Sequence, residues 1–415
     1  MKNASYFDPF GRQLSCLVTI GMLAATSFFG VGTVTAAEWR LEPELRVGYE
    51  FDDNAVLIDF AGTTAKIDGY ILEGSATIGY ATERTTFDIT PTLRSRNYDA
   101  ELFDSDDQFL TLNFNHRGLK SNFRILGNYA RESVRTAERA DADPDVDDPD
   151  EIAGDDTGRV FEIGRRNRFW IMPQWSYNFS EKSAIAASVI YTDVDYDDLF
   201  FVGAFTPYSD VRFDASLIRG FSARTRGYIK ASSRFYEPGN SGVDVDGVAF
   251  NIGFERDLAQ TTRFRAEVGV EETKPTGSES DSNAVWDINV VKNVETITLL
   301  AQYKRTMEGS GGGRVTARDS FNLSVTKQFF PERLRGGLGV RVYTTDRLSN
   351  DPGAFEERDY AQFGAQLTYA MSRTFSVRGD YRYTYIDRST TAGSDNSNSI
   401  ILWLIYRPTA MTTSR

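Results

Sequence analysis

The stretch FSVRGDYRYTY, residues 375–385, puts Phe375, Val377, Gly379, Tyr381, Tyr383 and Tyr385 on one parity and Ser376, Arg378, Asp380, Arg382 and Thr384 on the other. Successive side chains of a strand point to opposite faces, so this segment has one apolar face and one face carrying charges of both signs. Such a ribbon suits a soluble sandwich with its apolar face inward. It suits a transmembrane barrel equally well, with the apolar face toward lipid and the charges lining a lumen. The rest of the chain decides between them.

The same alternation recurs along the chain. Leu45, Val47, Tyr49 and Phe51 oppose Arg46, Gly48 and Glu50; Phe87, Ile89 and Leu93 oppose Asp88, Thr90 and Arg94; Val248, Phe250, Ile252 and Phe254 oppose Asn251 and Glu255. Helical spacing explains none of these stretches. About eighteen strands of roughly nine to twelve residues are expected, the length that crosses a bilayer at a tilt rather than the five or six usual in soluble sheets.

The connections sort by length. Tight turns such as ATERTT, HRGLKS, FSEKS, RDLAQTT, VKNVE and MSRT follow even strands, whereas residues 52–64, 132–166, 202–208, 307–317 and 345–358 form longer polar loops after odd ones. Aromatic residues gather near both kinds of connection, as two interfacial girdles would require. A Greek-key sandwich has no reason to sort its loops in this way. The expected fold is therefore all-β, a transmembrane up-and-down antiparallel barrel of about eighteen strands. On this reading Arg378, Asp380 and Arg382 face water, and Tyr381 and Tyr383 face lipid. Closing that many strands leaves an aqueous channel unless loops plug it.

The first residues carry Lys2 and Arg12, then the apolar run LSCLVTIGMLAATSFFGVGTV and the small-residue stretch TAA. This reads as a cleaved signal peptide over residues 1–37, directing Sec-dependent export, with an uncleaved anchor as the alternative. Residues 38–415 then form a single barrel without linker or composition break. Cys16 lies inside the signal, so the mature chain has no cysteine. The whole chain carries a net charge of −13, and taking out Lys2, Asp8 and Arg12 leaves −14, which argues against nucleic acid as a partner. The location implied is the outer membrane of a Gram-negative cell, with membrane lipid as the surrounding partner.

Parity assigns the wall of the lumen. The candidate pore-lining residues are Arg46, Glu50, Glu73, Arg94, Arg124, Arg168, Arg212, Lys230, Arg234, Arg265, Glu267, Arg341, Arg378, Asp380 and Arg382. With Arg96, Lys304, Asp88, Asp214, Glu255, Glu271 and Asp287 added, thirteen basic residues stand against nine acidic ones, a positive wall in a negative protein. Rings of Arg and Lys favour anionic solutes. The alternative is that these residues pair across strands, as Arg265 with Glu267 or Asp287, and keep the wall wet. Trp170, Tyr228, Tyr343 and Trp403 share the lumen parity and offer either platforms for sugar rings or wall filler.

The loop 132–166 contains ADADPDVDDPDEIAGDD, with nine carboxylates. Its like charges and prolines read as a solvated, mobile segment; calcium binding and a lid folding into the basic lumen are alternatives. No catalytic constellation is present. His116 is the only histidine and falls at a strand end, and with no mature cysteine there is neither a nucleophilic pair nor a histidine-rich metal site. GSGGGR, residues 309–314, lacks the Lys-Ser/Thr and helix of a phosphate cradle and reads as a flexible loop. Neither an enzyme nor a cofactor is expected.

LEPELRVGYEFDDN, residues 41–54, an early extended strand closing on Asp52-Asp53-Asn54, together with the pattern through to SIILWLIYRP, resembles the β-barrel porin family found with capsule and exopolysaccharide genes. The resemblance implies an outer-membrane passage that exports a capsular or extracellular polysaccharide, with periplasmic export components as further partners. The alternative is a general or anion-preferring diffusion porin for small solutes; a third reading is a closed structural barrel. Outer-membrane barrels usually finish on an aromatic residue, whereas here Tyr406 is followed by RPTAMTTSR, which leaves the last strand open.

Overall fold

Alternating apolar and polar residues become a continuous wall in the computed structural model, which describes residues 37–58, 64–139, 142, 156–157, 160, 163–200, 205–239, 242–330, 333–346, 357–389 and 394–414. The signal reading of residues 1–36 lies outside them. Eighteen strands pair antiparallel in chain order, β1(Glu38–Asp52), β2(Ile67–Ala81), β3(Thr85–Tyr98), β4(Ser105–Arg117), β5(Ser121–Ser133), β6(Arg165–Ser180), β7(Ser183–Asp197), β8(Tyr208–Ser222) and β9(Thr225–Pro238) forming the first half. The second half is β10(Val245–Ala259), β11(Thr262–Pro275), β12(Asp281–Val294), β13(Ile297–Ser310), β14(Arg314–Phe330), β15(Leu334–Asp346), β16(Arg358–Ala370), β17(Phe375–Arg388) and β18(Ser394–Tyr406). β1 also pairs with β18, so the sheet closes on itself and has no free edge.

The outer face is apolar. Leu72, Leu93, Val248, Phe250, Ile252 and Leu402 are each more than half exposed and stand on the parity opposite the charges. In water such a belt would be an aggregation surface; in a bilayer it is the solvated face. Tyr381 belongs to it, at 38% exposure.

The strands run 13 to 17 residues, longer than expected. Their upper ends rise past the apolar belt, where the inner face covers polypeptide rather than water. The clearest correction is the hairpin β13–β14: residues 307–317 form no long loop, because Ser310 pairs with Arg314 across a turn of residues 311–313. Gly313 takes φ +73°, the left-handed region that this turn needs and glycine supplies. Tyr236 lies against Gly309 and donates from its hydroxyl to the Ser310 carbonyl at 2.8 Å, pinning the hairpin.

The closing seam explains the Asp52-Asp53-Asn54 motif. Asp53 accepts hydrogen bonds from the Asn398 backbone N–H at 2.7 Å and its side-chain Nδ2 at 2.9 Å. Asn54 Nδ2 donates to the Asn396 carbonyl at 3.0 Å, and Ser397 Oγ donates to Asp52 Oδ1 at 2.7 Å. At the other end of the seam the last full strand stops at Tyr406, and a short β19(Met411–Ser414) resumes against Glu38–Leu41 with the register slipped by one residue. Pro408 lies in this gap, where its missing N–H interrupts the ladder. Asp53→Ala removes two acceptor contacts and costs about 1–3 kcal/mol. The expected result is a lower temperature for the loss of the compact, heat-modifiable band in gel electrophoresis; an unchanged temperature would remove Asp53 from the seam's stability.

Candidate functional site

The connection between β5 and β6 does not stay at the rim. It leaves β5 by a helical turn, Val134–Ala137, and among its described residues Val134, Arg135, Glu138, Arg139, Ala142, Asp156, Thr157 and Val160 are buried inside the barrel. For these residues the solvated reading is corrected: the lid alternative describes them, because their charges find partners on the wall. Of the nine carboxylates in the acidic run, only Asp156 is among the described residues, so the calcium reading of the others lies outside them.

Three sets of contacts fix this segment. Near its start, Arg139 Nη1 meets Asp52 Oδ2 at 3.0 Å and Nη2 donates to the Ala55 carbonyl at 3.1 Å. Arg135 Nη2 donates to the Tyr98 hydroxyl at 2.9 Å, which in turn donates to Glu50 at 2.6 Å. Within the segment, Glu138 accepts from Thr157 N at 2.7 Å and Thr157 Oγ1 at 2.6 Å, and it also accepts from the Tyr196 hydroxyl of β7 at 2.9 Å. At the far wall Asp156 meets Arg318 Nη1 at 2.9 Å and Arg341 Nη2 at 3.4 Å, and accepts from the Tyr343 hydroxyl at 2.8 Å. Arg318 and Tyr343 stand on β14 and β15, nine strands round a barrel of eighteen from β5 and β6 and therefore diametrically opposite. Ala142 N also reaches Gln362 Oε1 on β16 at 2.5 Å. The segment thus spans the lumen.

Electrostatics hold it there. Burial alone would raise the Asp156 carboxyl, and Arg318, Arg341 and Tyr343 together bring it below the usual carboxylate range. Burial likewise works against the charge on Arg135, but Glu50, Tyr98 and Asp52 keep its affinity for the proton above the ordinary guanidinium value.

Among the described residues, two cavities stand out in the lumen. The first, about 530 Å³, is lined by ten arginines, among them Arg46, Arg94, Arg168, Arg341, Arg378 and Arg382, against five carboxylates, Glu50, Glu73, Glu132, Asp156 and Asp380. The second, about 840 Å³, is nearly balanced: eight basic residues, including Arg168, Arg212, Lys230, Arg234 and Arg265, face seven acidic ones, including Glu267. Arg124 sits near the short-turn rim and lines neither cavity. Many of these charges pair along the wall, as Arg94 with Glu73 at 2.6 Å, Arg265 with Asp287 at 2.8 Å, Arg212 with Asp214 at 3.0 Å, and Lys230 with Glu267. The lining of the second cavity is nearly balanced, whereas that of the first holds more arginines than carboxylates, some of them paired with carboxylates outside the lining, as Arg139 with Asp52 at 3.0 Å and Arg166 with Glu138 at 3.4 Å.

The lumen-parity aromatics divide. Tyr343 is buried beneath Arg318, and Tyr228 donates from its hydroxyl to Glu267 at 2.9 Å. Trp170 lines the balanced cavity, and Trp403 the arginine-rich one. His116 lies beside the short turn, 2.9 Å from Thr85 Oγ1. Among the described residues no group of three or more His, Cys, Asp or Glu side chains could hold a metal ion.

Arg135, Arg139, Glu138 and Arg318 take part in this site without having been singled out in the sequence. One signal for the first three was present: SVRTAERA, residues 133–140, sets two arginines four apart, one helical turn, immediately before the acidic run.

No family model matches the chain, and no curated protein matches it. Solved structures do. A BenF-like porin from Pseudomonas fluorescens Pf-5 aligns over 89% of this chain and 99% of its own at 10% identity and a TM-score of 0.49. Acinetobacter baumannii OccAB4 aligns over 91% and 98% at 11% identity and 0.46, and Pseudomonas aeruginosa OccK5 (OpdH) over 89% and 98% at 11% identity and 0.45. At these values the likeness assigns the chain neither a family nor a solute. The chain itself is a closed antiparallel barrel of eighteen strands.

Proposed function

We propose that the protein is an outer-membrane diffusion channel for small solutes, with a preference for anions. The observation that carries this reading is the crossed lumen: a segment that leaves β5 and latches on β14 of the opposite wall leaves cavities of small-molecule size, and the first has twice as many arginines as carboxylates. A dense basic constriction concentrates anions and repels cations. The apolar belt and the sorting of short turns to one rim support a bilayer location with the longer connections outside the cell. The pore-lining roles of Arg46, Glu50, Glu73, Arg94, Arg168, Arg341, Arg378, Asp380 and Arg382 belong to this proposal, and Arg212, Lys230, Arg234, Arg265 and Glu267 form the neutralised remainder of the wall.

Export of a polysaccharide is the weaker reading. A sliding polymer needs a wide, continuous bore, and the β5–β6 segment crosses it.

The test is a reversal potential. The full-length barrel in a planar bilayer under a KCl gradient is expected to reverse at the sign of chloride preference, and its proteoliposomes are expected to swell in small sugars and not in long oligosaccharides. Cation preference would overturn the anion reading. Passage of long oligosaccharides, together with polysaccharide trapped in the periplasm of a deletion strain, would restore the export conduit.

A further inference from the structure

We propose that Trp403 and Arg378 form a subsite for ring-bearing anions, solutes that combine a flat ring face with a carboxylate or similar group. The proposal deepens the anion-channel reading and rests on it.

Trp403 on β18 has Gly48 as its direct cross-strand partner on β1 and Arg378 as its partner on β17. A Cβ on Gly48 would come within 2.6 Å of Trp403 Cε3 and 2.8 Å of Cζ3, so the indole lies where residue 48 has no side chain. The ring is bedded on the wall instead of standing up into the lumen. Asp380 fixes its orientation: Oδ2 accepts from Trp403 Nε1 at 2.9 Å, while Oδ1 accepts from Arg378 Nε at 2.6 Å. One carboxylate therefore holds both an aromatic platform and a guanidinium in fixed relation, on neighbouring strands, inside the cavity where arginines are in excess.

A ring that shields a glycine is a packing device of sheets. The pair Tyr228 and Gly253 provides the comparison. It repeats the covering contact at 2.3 Å, but its hydroxyl is turned to Glu267 in the charge-balanced cavity. At Trp403 the half-buried ring borders a basic patch that includes Arg46 and Arg382. A ring face stacks on the indole, and the anionic group meets Arg378. Aromatic carboxylates and sugar acids share this chemistry, since a pyranose also offers an apolar face beside its carboxylate.

The experiment uses the full-length barrel in planar bilayers and reads the residence time of current blocks by matched anions: benzoate against hexanoate, and glucuronate against gluconate, its open-chain counterpart. The ring-bearing member of at least one pair is expected to reside about 3- to 10-fold longer. Trp403→Leu is expected to bring that ratio to one, while Trp175→Leu, on the outer face, keeps it. Prolonged residence of benzoate alone assigns the site to aromatic carboxylates, and of glucuronate alone to sugar acids. Equal residence within both pairs in the wild type overturns the proposal, as does a ratio that survives Trp403→Leu. The wild-type comparison stands even where the variant fails to assemble. A channel that prefers chloride but shows no ring discrimination sinks this subsite and leaves the anion channel intact.

Discussion

Asp156→Ala raises the single-channel conductance several-fold: this is the largest effect expected of any single substitution in the chain. Asp156 is the described contact between the lumen-crossing segment and Arg318 and Arg341, and the substitution takes away the segment's carboxylate from both, leaving Arg318 with Glu308 at 3.3 Å on the wall. Breaking a buried pair in this way costs about 3–5 kcal/mol, enough to release the segment from the far wall. Acid should do the same by another route. The Asp156 carboxyl is held below its ordinary range, so the docked state gains stability that is fully present above the unfolded value and is lost as pH falls through the depressed one. Conductance is therefore expected to be steady from neutral pH through the ordinary carboxylate range and to climb only below it. Planar-bilayer recordings of wild type and variant decide the matter. A variant with wild-type conductance at neutral pH would mean that the far-wall contact does not set the bore.

The second large effect is a loss of anion preference in the triple variant Arg94→Glu, Arg378→Glu and Arg382→Glu. Each swap moves the first cavity by two charges, so three take its excess of five basic groups to a deficit of one. The second cavity, with eight basic and seven acidic residues, cannot compensate. Under a KCl gradient the reversal potential should move to zero or change sign, most strongly at low ionic strength where charges are least screened. A reversal potential that stays at the wild-type value would place selectivity outside the arginine-rich cavity.

Most of the fold was legible because two independent patterns agree. Period-2 alternation in stretches such as residues 375–385 marks strands, and the sorting of short and long connections marks an up-and-down barrel. The side of the wall on which Arg94 or Arg378 stands is a matter of parity. What parity cannot carry is the interior. Hairpin β13–β14 hides in a Gly- and Ser-rich run, because above the apolar belt the outward side chains no longer meet lipid and the alternation fades. The division of the lumen depends on contacts such as Arg318 to Asp156 and Ala142 to Gln362, which join residues 162 and 220 positions apart. Nothing local in ADADPDVDDPDEIAGDD distinguishes a carboxylate that latches from one that is solvated.

The diametric latch also orders events during assembly. The partners of the β5–β6 segment come from β1, β14, β15 and β16, so its docking must wait until nearly the whole wall has been laid down. Contacts of such sequence separation form late, because each must overcome the entropy of closing a long loop. The lumen is thus born wide and narrows afterwards, and a newly closed barrel passes through an interval as an unguarded hole in the membrane. The strength of the Asp156 contact determines how rarely that leak reopens once the segment has docked, which gives a cell reason to keep the latch tight even when a looser one would carry more solute.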